Sequence, residues 1–472
     1  MNLKAKNFIK NFSYTFSANA LSFLISAVLI FLVPKRLGVE QYGFWQFYTL
    51  CTSYVGFFHL GWCDGVYLRY GGKDYDELEK PVFVTQFWYL TFFEWIVCIG
   101  LGVYGFLIAP DADKGLIFAM TGVCALLVIP RTYIGYVLQF TNRIKEYAVI
   151  TMLERIIYFV LVTAMVFGGI REYKWLLAAD LFGKGVALVV GIARCRDIVF
   201  GKFVPVREGL SETGKNINVG FKLMVANIAG MLIVGLVRMA IENHWDMETF
   251  GKVSLTMSVS NLLMVFISAV SLILFPTLRR TSDERQVDMY NIMRTCIMGL
   301  LLGLLVFYYP AKLLLTMWLP KYAEALNFMA LMFPVCIFES KTTMLVNTYL
   351  KIMRKEKWIL LINVATVALS VLLTGVTVYW LDNLELTVAM IVFLQAFRCI
   401  FGELLLTRSM HIRVWKDIIL EVLMTAVFIL VSWNIRSWLC TALYALAYLV
   451  YVLFKRRDML STMRQIKALV KR

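Results

Sequence analysis

Residues 33–45, VPKRLGVEQYGFW, interrupt two long apolar runs with a proline, two adjacent cations and two glycines. A Lys-Arg pair beside an apolar helix ordinarily marks the cytoplasmic side of a membrane, so the side of this turn depends on every other loop. Composition sets the solvent. Of the 472 residues, 60% are hydrophobic and 15% aromatic, with a mean hydropathy of +0.73, against about 45 to 50% apolar residues in soluble globular chains. The sequence predicts an all-α polytopic membrane protein with about fourteen transmembrane helices, near 12–33, 43–63, 81–108, 115–138, 147–169, 174–194, 219–241, 250–275, 293–318, 323–349, 358–381, 386–407, 417–434 and 437–454. At about 1.5 Å rise per residue, each is long enough for a hydrocarbon core of about 30 Å.

Orientation follows from Lys and Arg in short loops. With the N terminus inside, the inner segments hold 31 cations and the outer segments eight: Lys35, Arg36, Lys114, Arg171, Lys174, Lys252, Lys321 and Arg436. That bias places both termini in the cytoplasm and the 33–45 turn outside. The formal charge of +16 is then a topology signal that also suits an anionic inner leaflet. No basic cluster accompanies a soluble nucleic-acid-binding motif, so no nucleic-acid partner is expected. The first apolar run is too long for a signal-peptide core and no small-residue cleavage site follows it, so the first helix is expected to stay. Nine cysteines are scattered singly, most within apolar runs, with no CxxC and no neighbouring His. They read as small buried apolar residues, and neither a disulfide framework, a metal site nor a cofactor is expected.

The turn has an echo. Ala226-Asn227 to Phe250-Gly251 repeats Ala18-Asn19 to Tyr42-Gly43 at a constant offset of 208, with Asn and Gly 24 residues apart in both. A duplication divides the chain into a six-helix half at 1–215, a second at 216–410, and two extra helices with a basic tail at 411–472. A substrate path between such halves is a recurring transporter plan.

The opening block, Asn19 followed by PKRLGVEQYG and then LGWCDGVYLRYGGKDYDEL, resembles the polysaccharide transport branch of the multidrug, oligosaccharidyl-lipid and polysaccharide (MOP) exporter superfamily, the Wzx-type flippases. Pro34, Leu37, Gly38, Tyr42, Gly43, Leu60, Gly61 and Arg69 occupy the family's motif positions over about the first eighty residues. The resemblance implies two six-helix halves around a V-shaped central cavity that alternates its opening. It also implies a flippase, not an enzyme, in the bacterial cytoplasmic membrane. Such a protein moves a polyprenyl-diphosphate-linked oligosaccharide to the outer leaflet for surface polysaccharide or lipopolysaccharide assembly. Membrane lipids and glycan-assembly proteins would be its other partners.

Ionisable residues within the helices test that implication, since each is costly in lipid and normally faces a cavity or a partner. Eight cations lie there: Arg131, Arg155, Lys184, Lys222, Arg238, Lys312, Lys341 and Arg398. Lys222 and Lys312 sit near helix ends and snorkel. Arg131, Arg155, Lys184, Arg238, Lys341 and Arg398 are expected to face a cavity and attract a diphosphate, for which Arg supplies bidentate donors and Lys a compact charge. The carboxylates are Glu94, Glu154, Asp180, Glu339, Glu403 and Glu421. Asp180 and Lys184 share a helical face and can pair, whereas adjacent Glu154 and Arg155 point apart. Glu154 and Asp180 are candidates for ion coupling.

Polar stripes follow helical spacing at Thr15, Asn19, Ser22 and Ser26, at Ser254, Ser258, Asn261 and Ser268, and at Asn363, Thr366, Ser370 and Thr374. Asn227 shares a face with Arg238. Asn19, Ser22, Ser26, Asn227, Ser258, Asn261 and Asn363 are expected to line the cavity, although small polar residues also let membrane helices pack closely.

Two other readings compete. A MATE-like drug or cation exporter of the same fold would place uncompensated carboxylates in its cavity. A membrane-embedded glycan polymerase or ligase would use a sizeable outer loop with functional Arg or His, whereas the outer loops here are short and His59, His244 and His411 are dispersed. The sequence carries no phosphate-binding loop for ATP, so energy would come from an ion gradient, substrate concentration or downstream consumption.

Overall fold

The structure, a computed structural model, describes residues 3–262 and 283–470. The described residues are helical, with no strand among them, as lipid demands of a spanning chain that must satisfy its own backbone. They form two compact units, Met1–Ile228 and Ala229–Arg472.

The first unit contains α1 (Leu3–Arg36), α2 (Val39–Ser53), α3 (Trp62–Tyr70), α4 (Lys80–Leu107), α5 (Ala112–Phe140), α6 (Ile144–Phe167), α7 (Tyr173–Arg194) and the short α8 (Arg196–Val199). The long α9 (Val206–His244) begins in this unit and runs into the second. The antiparallel pair α4 and α5 forms its spine, with α2 and α7 against α5, and α1 and α7 against α6. Outward residues such as Phe92, Ile99 and Phe106 are large, apolar and exposed, the surface a bilayer covers.

The 33–45 turn ends α1 with a bond from the Leu37 amide to the Val33 carbonyl (3.0 Å) and opens α2 at extended Gly38. Gln41 accepts the Tyr173 amide at 3.0 Å, and Phe44 stacks on Tyr173. The Tyr173 hydroxyl donates to Asp113 at 2.7 Å. Residues near 41, 113 and 173 therefore share one end of the unit. At the other end Lys80 pairs with Asp197 (3.1 Å), Arg143 lies over the Tyr75 ring and donates to the Arg194 carbonyl, and Arg69 pairs with Glu212 (2.8 Å). Partial burial pushes the Asp197 carboxyl up, but hydrogen bonds from Tyr75 and Lys80 outweigh it and hold the group below the ordinary carboxylate range. Spans that alternate in direction require this sorting of loops.

The second unit holds the rest of α9, α10 (247–262), α11 (Asp283–Leu304), α12 (Tyr308–Trp318), α13 (Met329–Met332), α14 (Val335–Lys341), α15 (Asn347–Ile352), α16 (Glu356–Thr374), α17 (Leu384–Met410), α18 (Trp415–Asn434), α19 (Trp438–Phe454) and α20 (Arg456–Val470). A π-helical turn, Thr342–Val346, joins α14 to α15. The apolar window of the segment Ala325–Ile352 is 89% buried, against 17 to 44% for the other spans. A charge in its middle can therefore reach neither lipid nor open water.

Eleven described segments are long and apolar enough to cross a membrane, and twelve if the bent pair Trp438–Phe454 and Arg456–Arg464 counts as one span. All eleven coincide with predicted runs, and the three remaining runs explain why fourteen is not reached. Run 43–63 is broken after Ser53, where α2 ends and a 3-10 turn Val55–Phe57 follows, and left-handed Leu60 and Gly61 (φ 52° and 80°) then precede α3. Run 437–454 qualifies only with the segment bent by 64° after it. Run 250–275 is helical to 262, and its remainder, with Ser268, lies outside the described residues.

Candidate functional site: buried charges in two units

In the first unit the fold brings five predicted residues together. Arg131 of α5 is ion-paired with Glu154 of α6, and Lys184 with Asp180 one turn away on α7. The Tyr48 hydroxyl of α2 donates to Asp180 at 2.7 Å, and the Lys184 ammonium reaches the Cys124 sulfur at 3.3 Å. Arg155, next to Glu154 but on another face, is exposed near the middle of α6 and within electrostatic reach of Arg131. Among the described residues it makes no salt bridge. Three cations thus meet two carboxylates on α5, α6 and α7, and the surplus positive charge is at the exposed position. On α1, Asn19 is exposed and Ser22 and Ser26 are half-buried; the side chain of Thr15 is outside the described residues. Asn227 is exposed on α9.

In the second unit Arg398 of α17 is buried, and its Nε donates to Asn363 of α16 at 2.9 Å. Glu339 is its nearby opposite charge. A Cβ on Gly230 of α9 would stand 3.2 Å from both the Arg398 and the Asn363 side chains, so the missing side chain makes room for the pair. Half-buried Arg238 donates to Ser254 Oγ at 3.1 Å and lies over the Phe250 ring. Ser258 is half-buried and Asn261 exposed. The stripe Asn363, Thr366, Ser370 and Thr374 is buried, and Ser370 donates to the Ile233 carbonyl of α9 at 2.8 Å. That is helix-to-helix packing through small polar residues.

Lys341 stands apart. It is 2% exposed, and its ammonium bridges Glu403 (2.5 Å) and Glu421 (2.6 Å). Arg294 binds the same two carboxylates at 2.7 Å each, and Asp417 at 2.8 Å; Lys455 closes the chain on Asp417. Tyr290 donates to Glu403 at 2.8 Å. The network joins α11, α14, α17 and α18 to the end of α19. The sequence counts place Arg294 and Lys455 among the 31 inner-segment cations and assign no role to Asp417. The usable signal was an arginine at the margin of one apolar run together with carboxylates, Glu403 and Glu421, that have no local partner in two others.

No protein-family model and no curated protein matches the chain. Among solved structures, the lipid II flippase MurJ in an inward closed conformation has a TM-score of 0.66 over 95% of this chain and 99% of its own, at 13% identity. An inward-facing multidrug resistance MATE family transporter of the MOP superfamily has a TM-score of 0.57 over 82% of this chain and 92% of its own, at 11% identity. An outward-facing one has 0.54 over 85% and 95%, at 14% identity. The chain shares its fold with these flippases and transporters.

Proposed function

We propose that this chain is a flippase that carries a polyprenyl-diphosphate-linked oligosaccharide from the inner to the outer leaflet of the bacterial cytoplasmic membrane, by alternating access. The observation that carries this reading is the cationic surplus of the first unit: Arg131, Arg155 and Lys184 on three neighbouring helices, with Arg155 exposed in mid-span. A diphosphate supplies the anion that such a charge needs away from bulk water. A cation exporter would instead present free carboxylates, yet Glu154 and Asp180 are both held by cations. The likeness to a lipid II flippase over nearly the whole chain supports the same substrate class. Within the second unit, Arg238 and the Arg398–Asn363 pair are offered as further residues that contact the anion. Lys341 is excluded, because its carboxylates already satisfy it.

Arg155→Gln is expected to lower export at least about tenfold, the loss that follows removal of one charge-assisted hydrogen bond worth about 1.5 to 3 kcal/mol. Membrane abundance should stay normal, because an exposed side chain without an ion pair holds no helices together, and lipid-linked glycan should accumulate inside. Full export at normal abundance would remove Arg155 from the substrate path.

The direction of transport rests on the loop charges. In a cysteine-free background, a cysteine at position 36 should react with an impermeant thiol reagent added outside, and one at position 73 should not. The reverse pattern would invert the topology.

A further inference from the structure

The span α19 ends at Phe454, and α20 leaves it bent by 64°. The 15 residues of α20 make a rod of about 22 Å, too short for a hydrocarbon core of about 30 Å. Lys455 holds the corner, ion-paired with Asp417 of α18 and, at 2.8 Å, with Asp458 of α20. Beyond the corner one face of α20 docks on α11. Thr462 is buried, and the Met459 methyl lies 3.1 Å from where a Cβ on Gly299 would stand.

The neighbouring face of α20 is open. Arg456, Leu460 and Arg464 recur four apart, and Arg457 stands seven before Arg464, so helical geometry gathers all four on one side, with Met463 at its border. The three arginines are exposed, as are Leu460 (41%) and Met463 (53%). Among the described residues none of these arginines pairs with a carboxylate, and the one acid of α20, Asp458, is taken by Lys455. The loop cations of the first unit differ: Arg69, Lys80 and Arg143 each have a carboxylate of their own. Apolar side chains set among cations gain nothing from water or from a nucleic-acid backbone. The boundary of a bilayer suits both, with acyl chains at one depth and phosphates just above. Exposed Leu453 and Phe454 bring the lipid-facing surface of α19 up to the corner.

We propose that α20 is an in-plane membrane-surface helix that binds anionic phospholipid. Leu460 and Met463 enter the acyl boundary, and Arg456, Arg457 and Arg464 hold headgroup phosphates. Arginine suits that place, because its long apolar stem lets the guanidinium rise to the headgroups while Leu460 stays below, and its fork matches phosphate oxygens. The loop-charge count puts this end of α19 on the cytoplasmic side, where the leaflet is anionic, and the sequence continues with Lys467, Lys471 and Arg472. Binding would hold the corner at Lys455, and through Asp417 it would brace Arg294 and the buried network behind it. No step of transport enters the proposal, so its failure would leave the flippase reading untouched.

Hydrogen exchange of the full-length protein in lipid nanodiscs tests this. Amides of residues 457–464 should exchange several-fold more slowly when phosphatidylglycerol is mixed into phosphatidylcholine discs than in phosphatidylcholine alone. High salt should erase much of that difference, because exposed charges are screened. The triple variant Arg456→Gln, Arg457→Gln, Arg464→Gln should exchange alike in both lipids, while its unfolding temperature in phosphatidylcholine stays that of the wild type. Should the triple variant fail to reach the membrane, Arg464→Gln alone takes its place and should weaken the lipid effect about fivefold, the share of one cation near an anionic surface. Equal wild-type exchange in the two lipids, or a variant that keeps the slowing by phosphatidylglycerol, would overturn the proposal. So would slowing that high salt leaves intact, since the arginines would then hold no headgroup.

Discussion

Lys341→Met will remove most of the protein from the membrane. The ammonium of Lys341 lies between Glu403 and Glu421, which are buried like it, in the most enclosed span of the second unit. Arg294 binds both carboxylates but also Asp417, so it cannot answer all three once Lys341 is gone. Breaking a buried pair by deleting one partner costs about 3 to 5 kcal/mol, against a total stability of about 5 to 15 kcal/mol for a typical protein. The penalty is electrostatic, so it should be reversible by charge. Lys341→Met combined with Glu421→Gln removes one charge of each sign and should recover much of the abundance. Immunoblots of membranes and thermal unfolding of the purified variants measure both effects. Normal abundance of Lys341→Met with reduced export would instead return Lys341 to the substrate path.

Lys341 also shows what a sequence yields and what it withholds. Apolar runs, their lengths and the end to which each loop belongs depend on local composition, so the helices and the sorting of loops at the two ends of the first unit were readable. So was the pair Asp180 and Lys184, because four residues on a helix bring side chains together. The partners of Glu154 and Lys341 were not readable. Arg131 is 23 residues from Glu154, and Glu421 is 80 from Lys341; helix packing alone brings them together. Arg294 was counted with the inner-loop cations because it stands at the very start of the run 293–318; α11 begins ten residues earlier, at Asp283, so Arg294 is well inside a helix. Conversely, nothing in the sequence separated Glu94 from the other five carboxylates in apolar runs. Its burial with neither oxygen hydrogen-bonded among the described residues does, and that is a property of the neighbours.

Gly65→Ala will destabilise the first unit by about 3 kcal/mol or more, the upper end of overpacking costs. Gly61-Trp-Cys-Asp-Gly65 puts two glycines four apart, the small-xxx-small pattern that lets membrane helices touch through their backbones. The structure uses it at the crossing of α3 and α9. A Cβ on Gly65 would stand 1.8 Å from the Asn216 carbonyl oxygen, and one on Gly220 would stand 1.9 Å from that of Gly61. Neither obstacle is a side chain that can rotate away, so the helices must separate. Separation also breaks the polar seam around the crossing. Arg69 donates to Asn216 at 2.5 Å and pairs with Glu212 at 2.8 Å. Gln86 accepts from Trp62 at 2.8 Å and donates to the Gly209 carbonyl at 2.9 Å. Gly220→Ala should cost as much, by meeting the same backbone from the other side. Gly100→Ala is the control. Gly100 is inside α4 with nothing within 4 Å of its would-be Cβ, and there alanine should add about 0.5 to 1 kcal/mol by helix propensity alone. Unfolding temperatures of the three variants should therefore split, two falling and one holding or rising. A tolerated Gly65→Ala would mean that α3 and α9 do not meet backbone to backbone.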